Sequence, residues 1–115
     1  MKFVDFCAGI GGGRLGLEKL NLECVAYSEI DDASASTYKL LYGEEEVNFG
    51  DLMNINPNEM PSFDLMIGGF PCQSFSIVGQ RKGFEDDRGQ IIYGLINILK
   101  AKNLKYFILK SLFWI

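Results

Sequence analysis

Apolar residues fall into short runs separated by glycine-rich or charged breaks, and the period alternates between two and 3.6 along the chain. Lys2 to Phe6 predicts a strand, and Cys7 to Gly13 a glycine-rich turn. Arg14 to Leu20 predicts a helix, with Leu15, Leu17 and Leu20 partly on one face. Glu23 to Tyr27 predicts a second strand. Asp31 or Asp32 caps a helix over Ala33 to Tyr42, which Gly43 ends. Val47 to Phe49 reads as a third strand, Asn54 to Pro61 as a polar connection, and Phe63 to Ile67 as a fourth strand that Gly68 and Gly69 end. Ile91 to Lys100 has the apolar spacing of a helix, and Tyr106 to Leu109 reads as a fifth strand. This alternation predicts a mostly parallel sheet with right-handed crossovers, a doubly wound α/β fold.

At 115 residues the chain is one domain or less, and a hydrophobic fraction of 48% excludes disorder. No apolar run approaches the ~18 residues of a membrane span. The N-terminus is too acidic and too briefly apolar for a signal peptide, so the cytoplasm is the default compartment. Cys7, Cys24 and Cys72 are widely spaced, and histidine is absent, which argues against a disulfide framework or a metal site. Cys7 and Cys24 sit in apolar stretches as small buried hydrophobes. A net charge of −4 argues against this segment alone gripping a phosphate backbone.

Candidate chemistry gathers where the strands end. Gly68-Gly69-Phe70-Pro71-Cys72-Gln73-Ser74-Phe75-Ser76 presents one thiol after the fourth strand, where open α/β sheets place ligands. Cys72 is therefore a candidate nucleophile. Gly11-Gly12-Gly13-Arg14-Leu15-Gly16 is a GxGxxG pattern between a strand and a helix, as in turns that admit a ligand close to the backbone. Glu29, at the end of the second strand, can accept hydrogen bonds from ribose hydroxyls. Asp51, after the third, can reach an adenine amino group or serve as a turn residue. Together these features indicate a nucleoside cofactor, without separating a nicotinamide from S-adenosylmethionine.

The loop around Cys72 and the segment Gly83-Phe84-Glu85-Asp86-Asp87-Arg88-Gly89 complete a pattern that resembles the DNA (cytosine-5)-methyltransferases of bacterial restriction–modification systems. The resemblance runs from about Lys2 to Leu109, and it implies a Rossmann-like S-adenosylmethionine-dependent methyltransferase fold. It implies that Cys72 adds to carbon 6 of a flipped cytosine in double-stranded DNA, so that carbon 5 can accept the methyl group. Arg88 matches an arginine near the flipped base, although the residues alone equally allow a salt bridge with Asp86 or Asp87. Cys7, Ala8, Gly9, Ile10, Gly11, Gly12, Glu29, Ile30, Asp51, Leu52, Pro71 and Ile91 match the cofactor-binding positions. Gln73, Ser76 and Arg81 match DNA-contacting positions of the loop that closes over the duplex.

Four departures stand out. Cys7 occupies a position where the family often has Phe, and Ile30 one where it often has Trp. Lys110-Ser111-Leu112 align with a Glu-Asn-Val motif, whose Glu would hydrogen-bond the cytosine; a lysine cannot accept that bond. The family also continues well beyond this length. Residues 1–109 thus read as the N-terminal part of a methyltransferase catalytic domain, and residues 110–115 as a divergent apolar tail. A sheet cut off there would leave Phe113 and Trp114 exposed beside an open edge. Two alternatives stay open: a non-catalytic cofactor-binding fragment, and one subunit of a split enzyme completed by a second chain. A nicotinamide-dependent oxidoreductase gives the Pro-Cys-Gln loop no role.

Overall fold

Five parallel strands form one sheet in the order β3-β2-β1-β4-β5 in the computed structural model, which describes residues 1–71 and 90–112. In chain order the elements are β1 (Lys2–Phe6), α1 (Gly12–Glu18), β2 (Glu23–Tyr27), α2 (Asp32–Tyr42), β3 (Val47–Asn48), β4 (Leu65–Pro71), α3 (Gln90–Ala101) and β5 (Tyr106–Leu112). Two short 3-10 turns, Leu52–Asn54 and Pro57–Glu59, lie in the connection between β3 and β4. The strand order reverses between β1 and β4, the switch point of a doubly wound sheet.

Alternating residues of β1 divide the core between the two faces of the sheet. Phe3 packs with Leu17 of α1 and with Cys24, Leu65 and Ile67, while Val4 and Phe6 pack with Met66 and with Leu95 and Ile98 of α3. Tyr38 of α2 stacks on Tyr27 at 3.9 Å, which covers the remainder of the α1–α2 face. Cys24 and Ala26 reach opposite faces although they are two apart. The register with β1 slips between Phe3 and Val4, so a bulge at Val25 turns the strand over.

The fourth strand departs from expectation. It starts at Leu65 and runs straight through Gly68 and Gly69 to Pro71, so the glycines do not end it. They open slots instead. A Cβ at Gly68 would lie 2.9 Å from Leu95 Cδ2, and one at Gly69 would lie 3.3 Å from Lys110 Cε. The glycines therefore admit α3 on one face and a long cation on the other. β5 likewise runs three residues past Leu109, pairing Lys110, Ser111 and Leu112 with Gly69, Phe70 and Pro71. It is an edge strand of the described sheet, and Tyr106 to Leu109 remain exposed. Phe113, Trp114 and the loop from Gly79 to Gly89 lie outside the described residues.

Helix α1 begins two residues earlier than predicted and ends at Glu18. Gly11, at φ 94°, turns the chain in the left-handed region and accepts from the Leu15 amide at 3.0 Å. The turn is thus Cys7 to Gly11, while Gly12, Gly13 and Gly16 of the GxGxxG pattern lie within the helix. Gly13 gives close packing: a Cβ there would stand 2.8 Å from Ile67 Cδ1.

Asp5 is fully buried in the middle of β1. Its Oδ2 accepts from Tyr38 Oη at 3.4 Å, and its Oδ1 meets no hydrogen-bond donor among the described residues. Desolvation pushes its carboxyl up to about 7, against the pull of the Lys110 ammonium, the Tyr38 hydroxyl and the Arg14 guanidinium; Glu29 adds to the rise. Lys110 reaches this region across the Gly69 slot, with its Nζ 3.1 Å from where a Gly13 Cβ would stand. Arg14, itself buried, bonds Glu46 at 2.8 Å and lies 4.5 Å above the Tyr42 ring.

Two predictions follow from this packing. Gly68→Ala should cost about 1–3 kcal/mol through the clash with Leu95. In a Leu95→Ala background the added cost should be smaller, as read from urea midpoints. Asp5 also gives the fold a pH signature. Its folded carboxyl titrates near 7, above its ordinary 3.8, so the folded state binds the extra proton between these values. Stability should fall as pH rises through that window, on the order of 1.4 kcal/mol per unit at its steepest, and then level off. Asp5→Asn should remove this slope, and denaturant midpoints of both proteins at pH 5 and pH 8 check it.

Candidate functional site

A hollow of about 360 Å³ opens at the carboxyl edge of the sheet. That is within the size range of small-molecule sites. Each wall comes from a different strand end: Cys7 after β1, Ser28 to Ile30 after β2, and Gly50 to Met53 after β3. Ile91, in the first turn of α3, closes the far side.

The wall after β1 is pinned to the wall after β2 by three consecutive amides. Cys7 N donates to Ser28 Oγ at 3.0 Å, Ala8 N to Ser28 O at 2.9 Å, and Gly9 N to Glu29 Oε1 at 2.7 Å. Glu29 Oε2 accepts from Asp31 N at 2.8 Å. Both oxygens of Glu29 therefore hold backbone, and each keeps a second acceptor position for a ligand. Asp51 caps the following 3-10 turn, with Oδ1 accepting from Met53 N at 3.0 Å, and it borders the hollow as well. Cys7 has a left-handed φ of 50° and a half-buried side chain. Burial, with the Glu29 and Asp5 carboxylates nearby, pushes its thiol up to about 12. It is an uncharged wall atom and not a nucleophile.

Of the twelve residues matched to cofactor positions, Cys7, Glu29, Ile30, Asp51, Leu52 and Ile91 meet around this one hollow. Ala8 to Gly11 build the neighbouring turn and Gly12 opens α1: Ala8 is buried, Ile10 stands at the exposed crest of the turn, and Gly11 N bonds back to Ala8 O at 3.0 Å. Tyr42 Oη donates to Gly11 O at 2.6 Å, which fixes that turn from α2. Pro71 ends β4 opposite Leu112. Cys72, Gln73, Ser76, Arg81 and Arg88 lie outside the described residues. Sequence reasoning missed Ser28, Gly50 and Met53 in the wall and Asn48 behind it. Ser28 and Asn48 were visible only as polar residues at the ends of apolar strands. Among the described residues no helix is long and apolar enough to cross a membrane, and no group of His, Cys, Asp or Glu could hold a metal ion.

The C-5 cytosine-specific DNA methylase family matches residues 1–110. The chain is 45% identical over 111 residues to the type II methyltransferase M.BsuFI of Bacillus subtilis, covering 96% of this chain and 27% of that one. It is 44% identical over 110 residues to M.HaeII of Haemophilus aegyptius, covering 96% and 34%. Among solved structures, Dnmt2 of S. pombe superposes with a TM-score of 0.72 at 24% identity, covering 97% of this chain and 36% of that one. A Dnmt2 variant of Spodoptera frugiperda gives 0.74 at 25% identity, covering 96% and 35%. The chain therefore spans between about a quarter and a third of the length of these curated relatives. With the parallel doubly wound sheet and a hollow at its carboxyl edge, these matches place the chain in the C-5 cytosine-specific DNA methylase family.

Proposed function

We propose that the hollow is an S-adenosylmethionine site and that the chain is the cofactor-binding, nucleophile-bearing part of a DNA (cytosine-5)-methyltransferase. The observation that carries this reading is the pairing of two carboxylates, Glu29 and Asp51, across an otherwise apolar hollow at the strand ends. Glu29 would accept from the ribose hydroxyls, and Asp51 from the adenine amino group. Ile30, Leu52, Met53 and Ile91 offer apolar surface to the base. Ala8 to Gly12 and Pro71 would border the rest of the cofactor. The described wall fits a nucleoside bearing a cation: two carboxylates, no lysine or arginine among the described lining residues, and an uncharged thiol at Cys7.

When bound, the cofactor supplies an activated methyl group. The chain's own contribution is Cys72, which directly follows β4. Its thiolate would add to carbon 6 of a cytosine flipped from double-stranded DNA, moving electron density to carbon 5. After methylation and loss of the carbon 5 proton, the carbon–sulfur bond breaks and Cys72 is regenerated. This covalent route divides one difficult substitution into easier steps. Arg88 would stand beside the base, with Gln73, Ser76 and Arg81 against the DNA. A cytoplasmic location, and a second chain that completes the domain, belong to the same reading.

A non-catalytic cofactor-binding fragment is favoured by one observation. Lys110 stands where the resemblance expects a base-binding glutamate, and its side chain turns across Gly69 toward Gly13. Two measurements on this chain separate the readings. Calorimetry with S-adenosylmethionine should show one site, weakened about 10- to 100-fold by Glu29→Ala. DNA carrying 5-fluorocytosine should form a covalent adduct that Cys72→Ser abolishes. Binding without an adduct leaves the cofactor-binding fragment, and absence of binding overturns both.

A further inference from the structure

The side chain of Asn48 ties together the two edges of the hollow that carry its carboxylates. Asn48 is the last residue of β3, a strand only two residues long, and lies opposite Tyr27 of β2. Beyond that pair only Phe49 N bonds back to β2, at Tyr27 O. The Asn48 amide takes over where the ladder stops. Its Oδ1 accepts from Glu29 N at 3.0 Å, and its Nδ2 donates to Glu29 O at 3.1 Å. The same Oδ1 accepts from Gly50 N at 2.9 Å. These partners also settle the amide's orientation: two N–H donors face the oxygen and one carbonyl faces the nitrogen.

One planar group thus fixes both backbone polar atoms of Glu29 and the amide that precedes Asp51. The Glu29 carboxylate is fixed in turn by the amides of Gly9 and Asp31. Residue 29 is therefore held at its backbone by Asn48 and at its side chain by the glycine turn. Asp51 hangs from Gly50, whose φ of 69° is a left-handed bend that the bond to Asn48 holds in place. Without Asn48, nothing described couples the two edges directly: β2 and β3 are joined only by a two-residue ladder and the Phe49 bond.

We propose that Asn48 is a positioning residue that sets the placement of Glu29 relative to Asp51, and through it the preference of the site for a ribonucleoside over a 2′-deoxyribonucleoside. The inference rests on reading the hollow as a nucleoside cofactor site. The chemistry is that of a preplaced acceptor. A carboxylate held on the ribose diol rejects a ligand lacking one hydroxyl, whereas a carboxylate free to swing finds other partners and discriminates poorly.

The test compares the affinity of the full 115-residue chain for S-adenosylhomocysteine and for its 2′-deoxyribose analogue. The wild-type chain should prefer the ribose form by about tenfold or more. In Asn48→Ala that ratio should fall below about threefold as ribose-form affinity drops. Asn48→Asp keeps acceptors for both amides and should retain more of the ratio than alanine does. Should the alanine variant not fold, Asn48→Ser, whose single, shorter-reaching hydroxyl cannot stand in for both Oδ1 and Nδ2, takes its place with the same expected loss. A ratio equal to wild type in these variants, even with a lowered melting temperature, makes Asn48 a structural support only and overturns the proposal. If the wild-type chain binds neither compound, the nucleoside reading itself falls, and that result is distinct from binding with an unchanged ratio.

Discussion

The three successive amides of Cys7, Ala8 and Gly9 are the constraint on which the rest of the site depends. A chain leaving a buried strand must satisfy its N–H groups at once, and on this side the neighbouring β2 ends at Tyr27. Ser28 and Glu29 meet the need with a hydroxyl, a carbonyl and a carboxylate oxygen. The result is a turn whose shape is set by the end of β2. Gly9 and Gly11 supply the left-handed bends, at φ 61° and 94°, that such a turn requires. Gly11 leaves no room for a side chain, because a Cβ there would fall 2.3 Å from Tyr42 Cε2. The Glu29 carboxylate is thus a structural latch before any ligand arrives.

The same logic explains the polar groups buried behind the turn. Asp5 lies in the strand that the whole sheet is built around, where desolvation opposes its charge. Around it stand Tyr38 from α2, Arg14 from α1 and Lys110 from β5, so elements from both sides of the switch point contribute to one electrostatic cluster. The Gly69 slot lets the Lys110 side chain cross β4 to reach it. The glycines of β4 therefore serve packing and charge placement together. On the opposite face Gly68 lets Leu95 approach, which seats the helix that brings Ile91 to the hollow.

Legibility followed how local each signal is. β1 and β2 were readable to the residue because their apolar runs are bounded by turn or charged residues on both sides. The Gly43 stop of α2 was equally plain and its cap was narrowed to Asp31 or Asp32, of which Asp31 caps, since capping is a contact within a few residues. β4 was misread because glycine carries two meanings, a flexible break or a slot for a neighbour, and only the position of Leu95 and Lys110 decides between them. The GxGxxG pattern marked the passage from β1 to α1 but not where the helix starts, since Gly12, Gly13 and Gly16 already lie on α1 and there serve packing or stand free. Glu29 and Asp51 were found because their acidic side chains follow strands. Ser28 and Asn48 were not, because their roles depend on which backbone groups the tertiary fold leaves unpaired, and no spacing in the sequence encodes that.

The fate of Cys7 shows how one arrangement of charge serves two ends. Burial and the carboxylates of Glu29 and Asp5 favour its neutral thiol. Placing an attacking thiolate here would set a third negative charge in a half-buried wall that already faces Glu29 and Asp51. The same negative surroundings favour a cationic ligand and penalise an anionic one. A cysteine in this wall can therefore contribute shape and polarizability rather than thiolate chemistry. Among the three cysteines, Cys24 is disqualified as well: it is buried, its thiol donates to Ala26 O at 3.3 Å, and burial raises it to about 11. Neither described cysteine is thus suited to attack, which accords with the proposed assignment of the nucleophile to Cys72, the residue that follows β4 in the sequence.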